Sequence, residues 1–140
     1  MQCSEIMTRN PECCVPTDSV MKAAQLMKSQ DVGPIPIVAD KDGRKLTGII
    51  TDRDLTIKVI AEARDPITTR LKEVMSDNVV TCKESDEVEQ VLKLMEDNQV
   101  RRIPVVDQDN HLLGIIAQAD VATRLGNSDT TGRVVEHISE

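Results

Sequence analysis

The chain has 140 residues, of which 39% are hydrophobic and 29% are charged, an ordinary balance for one water-soluble domain or two very small ones. Phe, Tyr and Trp are absent, so the core must be aliphatic, and no aromatic side chain is available to stack on single-stranded nucleic acid. The formal net charge of −7 repels phosphate backbones and anionic membranes, which argues against nucleic acid and against a membrane surface as partners.

The cysteines and the beginning of the chain indicate a cytoplasmic location. No apolar run is long enough to span a membrane, and the first ten residues lack the apolar stretch of a signal peptide. Cys3, Cys13, Cys14 and Cys82 show no CxxC spacing, and adjacent cysteines on a strand would point to opposite faces. We therefore expect reduced, partly buried thiols and no metal site.

The sequence contains an internal repeat, in which one unit occurs twice. Met7 corresponds to Met75, an offset of 68 positions (75 − 7), whereas Gly48 corresponds to Gly114, an offset of 66 (114 − 48). The two missing residues fall between two predicted strands, where a shorter turn is tolerated. The predicted domains are repeat 1 at residues 1–66, repeat 2 at residues 67–126 and a polar tail at residues 127–140.

The first predicted element of each repeat is an amphipathic helix, because its apolar residues recur at the spacing of one helical face. Thr17 to Ser19 are N-cap candidates in the first repeat. In the second repeat Ser85 and Asp86 are N-cap candidates, and Asp86 with Glu89 resembles a capping box. The two apolar faces consist of Val20, Ala23, Ala24 and Met27, and of Val88, Val91, Leu92 and Met95.

A β-hairpin is predicted after each of these helices, because two short apolar runs flank a cluster of turn-forming residues. The first turn contains Asp40, Asp42 and Gly43, and turn chemistry explains its two aspartates better than calcium binding does. The predicted strands are Ile35 to Val38, Leu46 to Ile50, Ile103 to Val106 and Leu112 to Ile116.

A second helix is predicted to begin near Thr51 in the first repeat and near Ala117 in the second. Asp65 and Pro66 interrupt the chain after the first of these, and Ile67 to Val74 are expected to form a short bridging helix. One helix–hairpin–helix unit cannot bury its small sheet alone, whereas two copies packed around a pseudo-twofold axis can.

Three pieces of sequence occur twice in the same order: "IMT" and "VMS", "IPIV" and "IPVV", and "LTGIITDRDL" and "LLGIIAQADV". A strand with a central proline, a Gly-Ile-Ile strand and an Asp at a helix start, present twice, resemble the tandem cystathionine-β-synthase (CBS) domain pair, or Bateman module. The resemblance covers Ile6 to Leu125. It implies a mixed α/β (α+β) fold class, with two βαββα-type repeats packed by pseudo-twofold symmetry through their small sheets.

The resemblance also implies a stand-alone regulatory module rather than an enzyme. Such modules bind adenosine-containing ligands in clefts between the two repeats: AMP, ADP or ATP, and in some cases S-adenosylmethionine or NADH. They pair into disc-shaped dimers and regulate a partner protein, which is unknown here. The residues themselves favour a homodimer, because Leu55, Ile57, Val59 and Ile60 spread over more than one face of the second helix.

The phrase "GIITDRD" offers the groups that a nucleotide needs. Asp54 can accept a hydrogen bond from each of two ribose hydroxyls. Thr51 adds a hydroxyl donor at a helix start, where backbone N–H groups favour a phosphate, and Gly48 lets the strand backbone approach a ligand closely. Thr51 and Asp54 also match an ordinary helix cap, and that structural interpretation stays open beside the nucleotide one. Because Ala117 in the second copy lacks the hydroxyl, the two clefts are expected to bind unequally.

By the resemblance, each cleft combines residues of both repeats. Arg101 and Arg102 stand where the family often places phosphate-contacting cations, although a solvated strand entry explains them equally well. His111 and His137 form no nucleophile–His–acid arrangement, so no catalytic residue is predicted. The alternative function is a structural or protein-interaction module with degenerate, empty clefts. The candidate nucleotide-binding residues are Gly48, Ile49, Thr51 and Asp54 with Ser76, Asn78, Val80, Val100, Arg101 and Arg102, and Ile115 and Asp120 with Thr8, Asn10, Val32, Gly33 and Pro34.

Overall fold

The structure of the chain is a computed structural model that describes residues 1–125. The chain divides into two compact units: the first joins Met1–Pro11 to Val80–Glu140, and the second is Glu12–Val79. The units do not follow the predicted repeats, because the opening segment of the chain folds with the second hairpin. The repeat boundaries at 1–66 and 67–126 stay a prediction, and the polar tail predicted at 127–140 lies outside the described residues.

The second unit contains the predicted helix and hairpin of the first repeat. Helix α1 begins after Ser19, whose hydroxyl oxygen accepts a hydrogen bond from the Lys22 N–H at 3.2 Å, so the predicted N-cap is confirmed. The predicted apolar face is buried except for Ala24, which is half-buried. The Asp40 carboxylate accepts a hydrogen bond from the Gly43 N–H at 2.6 Å, which is the expected turn chemistry. The elements are α1 (Val20–Gln30), β2 (Ile35–Val38) and β3 (Leu46–Ile50).

The second predicted helix also forms, but most of it is not α-helical. Helix α2 starts with Asp52–Asp54 and continues as a π-helical segment, Leu55–Ile60, in which the Ala61 N–H donates to the Thr56 carbonyl five residues earlier at 2.9 Å. The bridging helix predicted at Ile67 to Val74 is much shorter, because only Leu71–Glu73 is helical, as one 3₁₀ turn. A turn at residues 66–68 begins that stretch, and Arg70 forms an isolated antiparallel bridge with Ser19.

The first unit contains a four-stranded sheet and two α-helices. The elements are a 3₁₀ turn (Cys3–Glu5), β1 (Thr8–Arg9), β4 (Cys82–Lys83), α3 (Val88–Asn98), β5 (Arg102–Val106), β6 (Leu112–Ala117) and α4 (Gln118–Leu125). The strand order is β1-β6-β5-β4, in which β4 runs parallel to β5 and the other pairs are antiparallel. The predicted apolar face of α3 is fully buried in the core of this unit.

The capping box predicted for Asp86 and Glu89 is wrong by one residue. The residue before α3 is Glu87, whose N–H donates to the Gln90 side-chain oxygen at 3.3 Å. The Asp86 carboxylate instead accepts from the Lys83 N–H at 2.9 Å, and this bond closes the turn that precedes the helix.

The two sheets are completed in the same way by segments distant in sequence. In the first unit Thr8 pairs antiparallel with Ile115 of β6, and in the second unit Ser76 pairs antiparallel with Ile49 of β3. The segment that completes each sheet therefore belongs to the other predicted repeat. The mixed α/β fold class is confirmed, with small sheets and four helices in residues 1–125. No helix within residues 1–125 has the length and apolar character needed to cross a membrane.

Candidate functional site

The predicted site in the second unit is built where β3 leads directly into α2. Ile50, the last residue of β3, is fully buried, and Thr51 continues in extended conformation as the N-cap of the helix. The Thr51 hydroxyl oxygen accepts from the Asp54 N–H at 3.1 Å, and the Asp54 carboxylate accepts from the Thr51 N–H at 3.0 Å. The arrangement is a reciprocal capping box, so the helix-cap interpretation of these residues is confirmed as a structural role. We call Gly48, Ile49, Thr51, Asp54 and Ser76 the Thr51 site.

The Asp54 carboxylate is held by a cation as well as by the backbone. Its second oxygen lies 3.3 Å from the Lys58 ammonium, and only 19% of the Asp54 side chain is exposed. The Lys58 ammonium also donates to the Val74 carbonyl at 3.1 Å. Each carboxylate oxygen has two lone pairs, so both oxygens of Asp54 keep one acceptor position for a ligand. The Thr51 hydroxyl likewise keeps its own O–H free to donate, because it uses only its oxygen in the cap.

Gly48 has a role that the sequence did not indicate. A Cβ atom at this position would lie 2.8 Å from the Ser76 carbonyl oxygen and 3.0 Å from the Met75 sulfur. The Ile49 N–H donates to the same Ser76 carbonyl at 2.9 Å, so the absence of a side chain at Gly48 lets these two backbone segments approach each other closely. Close approach of a ligand to Gly48 stays a prediction. Ser76 is half-buried beside β3, and Asn78 is exposed two residues further on.

The matching site in the first unit, which we call the Asp120 site, consists of Thr8, Gly114, Ile115, Ala117 and Asp120. A Cβ atom on Gly114 would lie 2.6 Å from the Thr8 carbonyl oxygen, the counterpart of the Gly48 geometry. Ala117 is buried and can supply no capping hydroxyl. The Asp120 carboxylate is half-buried in the first turn of α4, and within residues 1–125 no donor engages it.

Sequence reasoning missed Gln118, the first residue of α4. Its side-chain nitrogen is buried and makes no hydrogen bond within residues 1–125, while its backbone N–H donates to the Arg101 carbonyl at 2.8 Å. A buried N–H donor without an acceptor is costly, so such an atom marks a place where a ligand or water can bind. The only sequence indication is that Gln118 replaces Asp52 of the first repeat, an acceptor exchanged for a side chain that also donates.

The remaining predicted residues belong to one unit or the other. Arg101 is exposed and Arg102 half-buried at the start of β5, and Asn10 is exposed with a positive φ of 50°. The predicted combination of residues from both repeats in one cleft stays a prediction. The first unit contains Thr8, Asn10, Val80, Val100, Arg101, Arg102, Ile115 and Asp120, and the second contains Val32, Gly33, Pro34, Gly48, Ile49, Thr51, Asp54, Ser76 and Asn78.

One group of potential metal ligands lies in the β5–β6 turn, where side-chain atoms of Asp107, Asp109 and His111 are all within 4.8 Å of one another. The Asp107 carboxylate accepts from the Asp109 N–H at 2.9 Å and from the His111 N–H at 2.8 Å. The His111 bond is the largest of the effects that lower the pKa of Asp107. These bonds are those of a tight turn closed by an aspartate, so the cluster has a sufficient structural explanation.

Comparison with known proteins identifies the family of this chain. The CBS domain family matches residues 3–60 and 71–127. The chain belongs to the CBS domain family. Hypoxic response protein 1 of Mycobacterium tuberculosis is 36% identical over 121 residues, which cover 86% of this chain and 82% of that protein.

Solved structures of CBS-domain proteins are similar along nearly the whole length of this chain. A crystal structure of hypoxic response protein I with two coordinated zinc ions has a TM-score of 0.79 at 32% identity, and covers 88% of this chain and 98% of that one. The CBS domain pair of protein MJ0100, in complex with 5′-methylthioadenosine and S-adenosyl-L-methionine, has a TM-score of 0.74 at 29% identity, with 90% and 96% coverage. The protein CBSX2 in complex with AMP has a TM-score of 0.76 at 25% identity, with 89% and 95% coverage.

Proposed function

We propose that this protein is a non-catalytic regulator that binds an adenine nucleotide, AMP, ADP or ATP, at the Thr51 site and the Asp120 site, and that signals its occupancy to a partner protein. The observation that carries the proposal is that both units place a half-buried carboxylate in the first turn of a helix that follows a Gly-Ile-Ile strand. An apolar strand end beside a carboxylate suits a ribose, whose two adjacent hydroxyls donate to one acceptor group.

The second unit has groups for each part of such a ligand. Asp54 keeps acceptor positions for ribose hydroxyls, and the Thr51 O–H can donate to a phosphate oxygen. Lys58 lies 3.3 Å from Asp54 and is 44% exposed, so its ammonium can turn toward a phosphate without being drawn from a buried position. In the first unit the Gln118 side-chain nitrogen, which makes no hydrogen bond within residues 1–125, can donate to a base or ribose oxygen.

The similar structures support an adenosyl ligand, since one contains AMP and another contains 5′-methylthioadenosine with S-adenosyl-L-methionine. S-Adenosylmethionine and NADH are therefore the alternative ligands to be compared with the nucleotides. The absence of a resident metal, the cytoplasmic location and the lack of catalytic activity stay predictions from the sequence.

Isothermal titration calorimetry with AMP, ADP, ATP, S-adenosylmethionine and NADH tests the proposal. We expect saturable heat with at least one nucleotide, and a loss of affinity in Asp54→Ala. Asp52→Ala is the matched control, because it removes the same charge from an exposed position on the same helix. Equal affinities of the wild type, Asp54→Ala and Asp120→Ala for every ligand would falsify the assignment of these carboxylates.

A second candidate function is a protein-interaction module whose sites stay empty. It is favoured by the capping box, which gives Thr51 and Asp54 a complete structural role without any ligand. It is also favoured by α2, where Ile57 is 45% exposed and Ile60 is 73% exposed. We propose that this apolar surface of α2 forms a homodimer in either case, because an isologous contact would bury both copies of each isoleucine. A dimer that gives no heat with any of the five ligands would favour the interaction module.

A further inference from the structure

All four cysteines are free and buried, and two of them belong to one core cluster of the first unit. Cys3 lies in the 3₁₀ turn Cys3–Glu5, and Cys82 lies in β4, 79 positions (82 − 3) further along the chain. The Cys3 N–H donates to the Asp86 carbonyl and the Ser4 N–H donates to the Glu84 carbonyl, both at 3.0 Å. These bonds fix the turn beside the residues that follow β4, and both thiols are buried in the same core cluster.

The repeat provides an internal reference for this pair. In the second unit the Leu71 N–H donates to the Asp18 carbonyl at 2.9 Å. This bond is the counterpart of the one from Cys3 to Asp86, because Leu71 corresponds to Cys3 and Asp18 corresponds to Asp86, each at an offset of 68 positions (71 − 3 and 86 − 18). Leu71 and Cys14 share the core cluster there, as Cys3 and Cys82 do in the first unit. The fold therefore accepts leucine opposite the strand cysteine, and a cysteine at position 3 is not required for packing.

We propose that Cys3 and Cys82 form a reversible disulfide that ties the turn Cys3–Glu5 to β4 when a hydroperoxide oxidises the protein. The Cys3 thiolate attacks the peroxide, which leaves as an alcohol or water, and Cys3 becomes a sulfenic acid. The Cys82 thiol then displaces water from that sulfur. In total, two thiols lose two electrons and two protons, and one hydroperoxide is reduced to an alcohol and water. A dithiol reductant reverses the reaction by thiol–disulfide exchange.

The environment of the two sulfurs assigns their order. The Cys82 thiol donates to the Pro104 carbonyl at 3.9 Å. The interaction between the Cys3 and Cys82 side chains lowers the pKa of Cys3, whereas the same interaction and burial raise the pKa of Cys82. Cys3 is thus the attacking thiolate and Cys82 the resolving thiol. Burial raises the pKa of Cys14 to about 11, so that cysteine is a poor competitor. Both reacting sulfurs are buried, so oxidation requires brief separation of the turn from the stretch Glu84–Asp86, and the reaction is slow in the folded state.

Peptide mapping of the full chain tests the proposal. Folded protein is treated with hydrogen peroxide, alkylated in denaturant and digested with trypsin without reduction. Trypsin places Cys3 in peptide 1–9, Cys82 in peptide 73–83, and both Cys13 and Cys14 in peptide 10–22. We expect peptides 1–9 and 73–83 to be joined, and to be released by dithiothreitol. Recovery of these two peptides separately alkylated, or of Cys3 as a sulfinic acid in folded protein, would overturn the proposal.

Cys3→Leu is the main variant, because it introduces the residue pair that the second unit already contains. It should fold, form no cross-linked peptide and have the same melting temperature with and without peroxide. Cys14→Ala should still form the cross-link. In the wild type the disulfide closes a long loop, so oxidation should raise the melting temperature by about 5–15 °C. An equal rise in Cys3→Leu would contradict a cross-link at these positions. The wild-type peptide map decides the question even if a variant does not fold.

Discussion

Thr51 and Asp54 hold each other through two hydrogen bonds, each from the backbone N–H of one residue to the side chain of the other, at 3.0 Å and 3.1 Å. This reciprocal bond sets the direction in which α2 leaves β3 and fixes the Asp54 carboxylate before any ligand arrives. A side chain that is already ordered loses little conformational entropy on binding, so the cap prepares the proposed ribose contact.

Asp54→Ala should therefore affect both stability and binding. Loss of the capping carboxylate and of its ion pair with Lys58 should lower the free energy of unfolding by about 1–2 kcal/mol. Nucleotide affinity should fall by roughly 1.5–3 kcal/mol, or about tenfold to a few hundredfold, since charged hydrogen bonds are lost. Urea titration and calorimetry measure the two effects, with Asp52→Ala as the control for charge. A stability loss with unchanged affinity would show that Asp54 is only a cap.

The two sites should bind with different affinities because Ala117 replaces Thr51. One neutral hydrogen bond contributes about 0.5–1.5 kcal/mol, so the Asp120 site should bind about two- to tenfold more weakly. Ala117→Thr should strengthen the weaker site, and Thr51→Val should weaken the stronger one while it keeps the shape of the side chain. Ala117→Val is the matched control without a hydroxyl. Equal effects of Ala117→Thr and Ala117→Val in calorimetry would rule out the hydroxyl as the cause.

Ile60→Asp should dissociate the proposed homodimer. Each buried isoleucine contributes about 1.5–3 kcal/mol, and an isologous interface contains two copies, so the dimer dissociation constant should rise at least about 100-fold. Sedimentation velocity at micromolar concentration measures it. Ile67→Asp is the control, because Ile67 is 65% exposed but lies outside the helix. A wild-type monomer, or equal dissociation by both variants, would exclude this surface of α2.

Gly114→Ala should destabilise the protein because the new Cβ would lie 2.6 Å from the Thr8 carbonyl oxygen, and backbone cannot move aside as a flexible side chain can. We expect a loss of about 1–3 kcal/mol in the free energy of unfolding. Gly43→Ala is the matched control, since its Cβ would meet only the Asp40 carboxylate at 3.4 Å. Similar chemical denaturation curves for the two variants would mean that β1 does not pack closely on β6.

Stability should decrease at alkaline pH through Cys14, whose pKa is raised from 9.0 to about 11 by burial. A folded-state pKa above the unfolded value favours the protonated, folded form below pH 9, and this contribution is lost as the pH rises toward 11. The free energy of unfolding of the wild type should fall more steeply between these pH values than that of Cys14→Ala. The difference between the two proteins isolates the contribution of this thiol to the pH dependence of stability. Parallel pH profiles would refute the assignment.

The sequence predicted those parts of the fold that depend on local patterns. Helices α1 and α3 and both hairpins follow from periodicity and turn residues within a dozen positions, and the structure has them almost unchanged. The capping box of Thr51 could also be predicted, because its two partners are three residues apart. The pairing of Thr8 with Ile115 could not, since nothing in a two-residue strand specifies a partner more than a hundred positions away.

Residues of the candidate site could likewise be predicted only where they belong to a local sequence pattern. Asp54 and Asp120 were found because they repeat a local phrase at a helix start. Gln118 was missed because an unpaired amide becomes visible only when its surroundings are known. The packing of Gly48 against the Ser76 carbonyl was also missed, because Ser76 comes from another part of the chain.

The segments that complete the two sheets limit how this duplicated chain could have arisen. Thr8 completes the sheet that contains Ile115, and Ser76 completes its counterpart at Ile49, so neither repeat carries a whole sheet in its own sequence. In an ancestral polypeptide with a single repeat, the N-terminal segment of each copy would have had to pair with the sheet of a second copy. Joining two such copies in one chain would turn an exchange between molecules into a fold within one molecule, and the partner segment would no longer have to be found by diffusion.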